Sequence, residues 1–207
     1  MTTKGVWDLQ DVRDKLLAGD NWENTQSFYV WGQNEYGALG QNSRVDLSSP
    51  TQVPGSWLLK GTTISNENNA AGVKYDGTMW VWGYNGDNGK LGLNAPGPSH
   101  KSSPTQIPGT TWDEIPHCAN QSIVASKTDG TFWTWGFNQS GQLGLNIEGG
   151  NPGNNSLSSP TQLPGTTWST DDTKWGGGMN FKSTIKTDGT LWAWGMRDYG
   201  QLGLNSA

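Results

Sequence analysis

The sequence predicts an all-β fold of propeller-type repeats, and three observations support this prediction. First, a short run that ends in Trp-Gly recurs at a spacing of roughly fifty residues, with its Trp at Trp31, Trp82, Trp135 and Trp194. Second, a Gly-x-Leu-Gly element follows each run. Third, a Ser-Ser-Pro-Thr-Gln block separates successive units and begins at Ser48, Ser102 and Ser158. Repetition of short β units at this period is typical of propeller blades.

Each unit contains the turn and strand signals of a small antiparallel sheet. An Asp-Gly pair, which supplies the positive φ angles of a tight hairpin, precedes the last three Trp-Gly runs at Asp76, Asp129 and Asp188. In these runs two Trp stand at positions i and i+2, so both rings project to one face of the strand, where they can fill the space between sheets. Prolines at both ends of the Ser-Ser-Pro block favour a short outer strand, because proline donates no hydrogen bond. Three or four short strands per unit predict a blade.

Together, the Asp-Gly-Thr hairpin, the Gly-Gln-Leu-Gly element and the Ser-Ser-Pro block resemble the regulator of chromosome condensation repeat over about residues 27 to 205. The resemblance implies a β-propeller, which in this family is usually seven-bladed and serves in exchange factors, enzyme inhibitors and viral components. One family position differs, since Asn69, Ser122 and Phe181 stand where the family has a histidine ahead of the hairpin. Residues 27–207 hold about three and a half units. We therefore expect a propeller domain that is incomplete, or that further chain or other subunits complete.

Residues 1–26 differ from the repeats and predict a short helix from Asp8 to Ala18. Leu9, Val12 and Leu16 share one face of this helix. A helix of about eleven residues does not persist alone in water, so we expect it to dock on the propeller or on another protein. This segment is the expected attachment peptide, and its expected docking residues are Val6, Trp7, Leu9, Val12, Leu16 and Trp22.

The stretch from Gly5 to Trp22 also resembles a short N-terminal element of structural proteins of tailed bacteriophages. The resemblance implies that the segment anchors the chain to other virion proteins. The beginning of the chain lacks the apolar run of a signal peptide. No stretch approaches the roughly 18 consecutive apolar residues of a membrane span, so we expect no membrane span.

Charge and composition argue against nucleic-acid binding and against enzymatic chemistry. The formal net charge is −5, so electrostatic attraction to phosphate is not expected. Cys118 is the single cysteine and forms no intrachain disulfide; the adjacent His117 would point to the opposite face of a strand. The Gly83–Lys90 stretch resembles a phosphate-binding loop, but its glycine spacing is wrong and Leu91 stands where a magnesium-binding hydroxyl belongs. We predict no catalytic residue, no metal site and no cofactor.

Surface-binding residues are expected where the repeat pattern is broken. Trp175 lies outside the periodic Trp positions, and an unpatterned Trp is a better candidate for contact with a partner or a glycan than a core Trp. The loop after the Gly-x-Leu-Gly element lengthens along the chain, from residues 43–47 through 95–101 to 147–157. Such insertions mark the adaptable edge of a repeat scaffold, or reflect tolerated drift in loop length. The candidate surface-binding residues are Trp175, Asn151, Asn154 and Asn155.

These observations predict a non-enzymatic structural protein of a tailed-phage virion, as a fibre, tail-associated or capsid-decorating component. Its expected partners are other virion proteins, further copies of the same chain, and a protein or glycan of the host surface. The alternative is a free protein-binding or inhibitor module in the bacterial cytoplasm. An exchange factor for a small GTPase and a glycan hydrolase are further alternatives, and the hydrolase would require catalytic carboxylates.

Overall fold

The computed structural model consists of short antiparallel strands. It describes residues 28–55, 57, 59–64, 68–95, 97, 99–115, 117–119, 122–147 and 155–205, and only the backbone of 59–64 and 117–119. Within these ranges the one helical element is a 3-10 turn at Asp172–Lys174. The all-β prediction is therefore confirmed, whereas the predicted N-terminal helix lies outside the described residues.

The described strands form four sheets, which we name blades 1 to 4. Blade 1 contains β1 (Tyr29–Gly32) and β2 (Leu47–Gln52). Blade 2 contains β3 (Leu59–Ile64), β4 (Asn69–Lys74), β5 (Met79–Gly83) and β6 (Lys101–Ile107). Blade 3 contains β7 (His117–Ala119), β8 (Ser122–Ser126), β9 (Phe132–Gly136) and β10 (Leu157–Gln162). Blade 4 contains β11 (Trp175–Gly177), β12 (Phe181–Ile185) and β13 (Leu191–Gly195).

Each blade is an antiparallel meander, in which strands adjacent in sequence are adjacent in the sheet. The four Trp-Gly runs form β1, β5, β9 and β13, and the three Ser-Ser-Pro blocks form the outer strands β2, β6 and β10. Blades 2 and 3 have four strands, whereas the described residues provide two strands for blade 1 and three for blade 4. This architecture agrees with the predicted incomplete propeller.

The core lies between neighbouring blades. Trp82 is packed with residues of blades 1 and 2, and Trp135 with residues of blades 2 and 3; both side chains are fully buried. Between blades 3 and 4 the ring of Phe132 stacks on the ring of Trp175, with centroids 4.7 Å apart. Burial of wide aromatic rings supplies much of the apolar area that a chain poor in aliphatic residues needs. The prediction that the paired Trp rings fill the space between sheets is confirmed at Trp82 and Trp135, whereas the ring of Trp192 is 47% exposed.

The Gly-x-Leu-Gly loops of blades 1 to 3 fold around a buried asparagine. The Oδ1 atoms of Asn34, Asn85 and Asn138 accept the backbone N–H of Leu39, Leu91 and Leu143 at 2.9, 2.9 and 3.0 Å. A buried amide that bonds the backbone in this way fixes the loop, because leaving either group unpaired would be costly. In blade 4 Arg197 stands at the corresponding position.

The predicted Asp-Gly hairpins join the second strand to the third in blades 2, 3 and 4. In blade 3 a carboxylate oxygen of Asp129 accepts the backbone N–H of Thr131 at 2.9 Å and its hydroxyl at 2.6 Å. The same hydroxyl oxygen accepts the indole N–H of Trp133 at 2.9 Å. Equivalent bonds occur in blades 2 and 4. The hydrogen bond from the Thr131 side chain is the largest cause that lowers the pKa of Asp129 below its ordinary value of 3.8.

We expect the Asp129 carboxyl to titrate below pH 3.8 in the folded chain. A carboxyl whose folded pKa is lowered adds stability above its unfolded pKa, and that contribution is lost as the pH falls through the folded pKa. Titration followed by carboxyl-carbon NMR measures the midpoint. Thr131→Val removes the hydroxyl and should move the midpoint up towards 3.8, while an unchanged midpoint in this variant would contradict the assigned cause.

Candidate protein-docking site

A recurring indole hydrogen bond joins each of blades 2 to 4 to the blade before it. The indole N–H groups of Trp82, Trp135 and Trp194 donate to the backbone oxygens of Ala38, Lys90 and Gln142 at 2.7, 3.0 and 3.1 Å. Each acceptor lies in the Gly-x-Leu-Gly loop of the preceding blade. Trp31 occupies the same repeat position in β1 and is 61% exposed, since blade 1 has no preceding blade among the described residues.

The outer strands of blades 2 and 3 also dock on the preceding loop. The backbone N–H of Asn42 donates to the carbonyl of Ser102 at 2.8 Å, and the Asn42 Oδ1 accepts the hydroxyl of Ser103 at 3.1 Å. Asn94 repeats both bonds with the Ser-Ser pair of β10, at 2.7 and 3.2 Å. Both asparagines have a positive φ, 53° and 54°, a conformation that asparagine tolerates better than most residues.

Blade 4 leaves the equivalent position open. Asn146 has the same backbone conformation, with φ 53°, but no described strand lies on the outer side of β13. A groove of about 1060 Å³ remains between β13 and the preceding loop. We name this space the β13 groove, and the wall residues that matter here are Gly141, Gly144, Asn146, Trp168, Lys186 and Trp192.

The corresponding space between blades 2 and 3 shows that an outer strand reduces the volume of such a groove. It has equivalent wall residues, namely Gly92, Asn94, Trp112, Lys127 and Trp133, but its volume is about 390 Å³. Its wall also includes Ser159 and Pro160 of the outer strand β10. The β13 groove therefore corresponds to a blade-edge space that lacks its outer strand.

The floor of the β13 groove combines a cation with two aromatic rings. The Nζ atom of Lys186 lies 4.5 Å from the ring centroid of Trp168 and 3.8 Å from that of Trp192. Lys74 and Lys127 make the same arrangement in blades 2 and 3, so this is a repeated structural contact, with cation–π attraction of about 0.5–1 kcal/mol at exposed sites.

The β13 edge is unusually apolar for an exposed surface. The side chains of Leu191 and Trp192 are 72% and 47% exposed. At the position of Leu191 in the other two units, the side chains of Met79 and Phe132 are fully buried. An apolar strand edge with unpaired backbone groups is a template for pairing with another strand.

Trp175 lies in the core, not on the surface. Its side chain is only 8% exposed, stacks on Phe132, and its indole N–H donates to the backbone oxygen of Ser169 at 2.8 Å. This side chain is therefore unavailable as the surface contact expected from the sequence. The prediction of a surface position was wrong because the rings that cover Trp175 include Phe132 of the preceding blade. The repeat pattern does not show this contact between blades.

The other predicted contact residues fall in different places. Asn155 is half-buried at the end of the loop that precedes β10. Asn151 and Asn154 lie outside the described residues. The docking residues expected in the N-terminal segment, Val6, Trp7, Leu9, Val12, Leu16 and Trp22, also lie outside them.

The groups that could suggest chemistry have structural contacts. His100 stacks on Tyr84 with ring centroids 4.8 Å apart, and its Nδ1 accepts the backbone N–H of Asn85 at 3.2 Å. Burial is the main cause that lowers the pKa of His100, and the charge of Arg44 adds to it. Among the residues that the structure describes, no cluster of three His, Cys, Asp or Glu side chains is placed to hold a metal ion. No helix in this part of the chain has the length and apolarity to cross a membrane.

The β13 groove was missed by sequence reasoning, although a signal for it exists. The Ser-Ser-Pro blocks of blades 2 and 3 dock on the Gly-x-Leu-Gly loops of blades 1 and 2. No described block docks on the loop of blade 3 in the same way.

Two stretches of the chain, residues 27–59 and 129–170, match the model of the regulator of chromosome condensation (RCC1) repeat. Similar curated proteins include the mitochondrial RCC1 domain-containing protein RUG3 of Arabidopsis thaliana, which is 27% identical over 86% of this chain and 40% of its own length. Human Protein RCC2 is 29% identical over 86% of this chain and 30% of its own length. The chain thus spans less than half the length of these relatives.

Solved structures show the same fold. Yeast RCC1 (Prp20), crystallised with Kap60, superposes with a TM-score of 0.68 at 15% identity, over 87% of this chain and 42% of that one. Human WBSCR16 superposes with a TM-score of 0.64 at 17% identity, over 83% of this chain and 43% of that one. Two stretches of the chain are thus similar to the RCC1 repeat, and its blades have the fold of RCC1-like propellers.

Proposed function

We propose, from the premise that this chain has the fold of RCC1-like propeller blades, that it is a non-enzymatic protein-binding module. The observation that supports this proposal is the apolar β13 edge with its open groove, since exposed apolar patches mark interaction surfaces. A related propeller is also protein-bound: yeast RCC1 (Prp20) has been solved in complex with Kap60. A second structure of the same protein, Prp20p from Saccharomyces cerevisiae, comes with its binding properties to Gsp1p and histones.

We further propose that the module works as a structural component of a tailed-phage virion. The resemblance of the segment from Gly5 to Trp22 to phage structural proteins supports this setting. In this proposal the N-terminal segment attaches to other virion proteins, and the blades face outward for assembly or for contact with a protein or glycan of the host surface.

Mass spectrometry of purified particles tests the virion proposal. We expect the chain at a fixed copy number per particle, and a doubly substituted chain with Val12→Asp and Leu16→Asp should be lost from particles while remaining folded. The matched control is Asn205→Gly in the last loop, which should be incorporated normally. Absence of the chain from particles, together with recovery of a stoichiometric complex with one host protein, would favour a free binding or inhibitor module in the bacterial cytoplasm.

We also propose that further copies of this chain are partners, because its two ends are complementary. Trp31 exposes the indole that the other units bury against a preceding loop. At the opposite end, a Cβ on Gly203 would meet nothing within 4 Å, whereas one on Gly92 or Gly144 would lie within 3 Å of the next indole. A second copy therefore fits head to tail.

Sedimentation of the 22.4 kDa chain tests this association. We expect a concentration-dependent multimer that Trp31→Asp converts to monomer, because the charge cannot enter an apolar contact without a large desolvation cost. Asp substitution of the exposed Val45 on the same blade is the matched control and should leave the mass unchanged. A wild-type chain that stays monomeric up to about millimolar concentration, the weak limit of specific binding, would contradict the proposal.

A further inference from the structure

We propose that the interface between blades 3 and 4 binds a small monatomic anion such as chloride. The site lies where β8 and β9 of blade 3 face β12 of blade 4, and it does not use the outer side of β13. Five polar side chains meet the interface there, each at most 2% exposed. We name them the polar junction, and they are Ser122, Thr134, Gln142, Lys182 and Thr184.

The equivalent interface between blades 2 and 3 is apolar. Its facing positions hold Val81, Ile123 and Ala125, which are buried in one apolar cluster. The strand registers place polar residues at the same three positions one blade further along, namely Thr134, Lys182 and Thr184. Because all six side chains are at most 2% exposed, the two interfaces bury the same positions but with opposite chemistry.

Several polar atoms of the polar junction have no protein partner. Among the residues that the structure describes, the buried side-chain atoms without a hydrogen bond are Thr134 Oγ1, Thr184 Oγ1 and Gln142 Nε2. The backbone oxygen of Gln142 accepts the indole N–H of Trp194, and Trp194 pairs with Lys182 across the sheet. All three atoms therefore belong to one interface. A buried polar atom without a partner is costly, so such a group indicates a ligand that pairs with it.

Lys182 brings a positive charge into the polar junction. Its Nζ donates to the hydroxyl of Ser122, which joins β12 to β8 across the interface. Thr134 lies on the same face of blade 3 as Ser122, because Ser122 pairs with Gly136, two residues after Thr134. Thr184 lies two residues after Lys182 and shares its face of blade 4. The two unpaired hydroxyls are thus on the two walls that the ammonium group connects.

The donors of the polar junction favour an anion over other ligands. The ammonium group of Lys182 and the Nε2 of Gln142 can only donate hydrogen bonds, and the Thr hydroxyls can donate as well. A metal cation would lie beside the ammonium group and be repelled by it. The ring of Phe132, two residues before Thr134, stacks on Trp175 of blade 4 with centroids 4.7 Å apart. Because this contact holds the blades close together, a monatomic ion fits better than a phosphate or a sulfate.

Thermal unfolding at constant ionic strength tests the proposal. Sodium chloride replaces sodium gluconate in steps up to about 200 mM, and gluconate is too large for the polar junction. We expect the midpoint of unfolding to rise by at least about 3 °C and then to saturate, because a ligand that binds only the folded chain stabilises it. Sodium bromide should have the same effect. Crystals soaked in bromide should show an anomalous peak in contact with the Lys182 ammonium group and the hydroxyls of Thr134 and Thr184.

Thr134→Val is the decisive variant, because it gives blade 3 the residue that blade 2 has at Val81. Loss of one hydrogen bond to a charged ligand should weaken chloride binding at least about tenfold. In chloride-free buffer the variant should unfold at the same temperature as the wild type or higher, since it removes a buried hydroxyl that has no partner. The matched control is Thr105→Val on β6, where the hydroxyl already donates to the backbone oxygen of Ser103 at 3.2 Å. This control should keep the full response to chloride.

A triple variant converts the whole interface. Thr134→Val, Lys182→Ile and Thr184→Ala together give blades 3 and 4 the facing residues of blades 2 and 3. We expect this variant to fold and to lose the specific response to chloride, so that any remaining difference between chloride and gluconate measures their general effect on the chain. If the triple variant does not fold, the comparison of Thr134→Val with Thr105→Val decides the question.

Several outcomes would overturn the proposal. These are equal stability of the wild type in chloride and in gluconate, an equal chloride response in Thr134→Val and the wild type, and bromide peaks that lie only outside the polar junction. Water molecules in the bromide-soaked crystals at the place expected for the ion would mean that solvent pairs with these groups, and would also overturn it. None of these results bears on the proposed protein-binding function, which uses a different surface.

Discussion

Substitution of Trp135 by alanine is expected to lower the free energy of unfolding by about 3–5 kcal/mol, the usual cost of removing a fully buried Trp. Its ring fills the core between blades 2 and 3 and lies 6.1 Å from the ring of Trp112. The substitution also removes the indole donor to the backbone oxygen of Lys90. Two neighbouring blades therefore lose packing and their shared hydrogen bond together. Denaturation in guanidinium chloride, followed by tryptophan fluorescence and circular dichroism, measures the loss.

Trp31→Ala is the matched control, because Trp31 occupies the same repeat position but is 61% exposed. We expect a loss within about 0.5 kcal/mol, provided that the measurement is made where the chain is monomeric. Similar losses in the two variants would show that the blades do not obtain their stability from the interface indole. Coincident transitions by both probes are needed before the values are compared.

Gly83→Ala is the second substitution with a large expected effect, about 2–5 kcal/mol from steric overlap and backbone strain together. Gly83 ends β5 at φ +96°, and a Cβ there would lie 2.3 Å from the backbone oxygen of Asn68 and 2.7 Å from the Cα of Asn69. Neither atom belongs to a side chain that can turn away. The same bend allows the N–H of Tyr84 to donate to the Asn68 oxygen at 2.8 Å, so relief of the overlap would break this bond.

Gly32→Ala separates the two causes. Gly32 has the same repeat position and a similar φ of +106°, but a Cβ there would meet nothing within 4 Å. Only the strain of the left-handed backbone remains, about 1–2 kcal/mol. The difference between the variants in urea denaturation then reports the overlap in blade 2. Equal losses of unfolding free energy in the two variants would mean that β4 and β5 can move apart and remove the overlap without a loss of stability.

Local signals explain why the blades could be predicted from the sequence. The Asp129-Gly130 turn needs only adjacent residues, and Gly130 has the expected positive φ of 79°. The alternation of Trp133 and Trp135 indicates one buried face, and the inner ring, that of Trp135, is fully buried. Such features depend only on residues that are near in the sequence. Their recurrence in several units distinguishes them from chance matches.

Features that depend on distant residues were not predicted. Trp175 is buried by stacking on Phe132 of the preceding blade, a contact without a counterpart among the described residues of the other units. The β13 groove depends on the relation between a loop and the outer strand of the next blade. The sequence shows a lysine two positions before each Asp-Gly pair, and Lys186 is the one in the last unit. It does not show that the ammonium group of Lys186 lies over two Trp rings.

The bonds between blades have a consequence for how such a protein changes over generations. Each indole-to-loop bond in the described residues joins consecutive units, across 44, 45 and 52 residues. Duplication or deletion of one whole unit would recreate every one of these bonds with the next unit in line, as in other repeat proteins whose stability is a sum over nearest neighbours. The number of blades can therefore change by gene duplication, because the chemistry of a single blade does not fix how many blades follow one another.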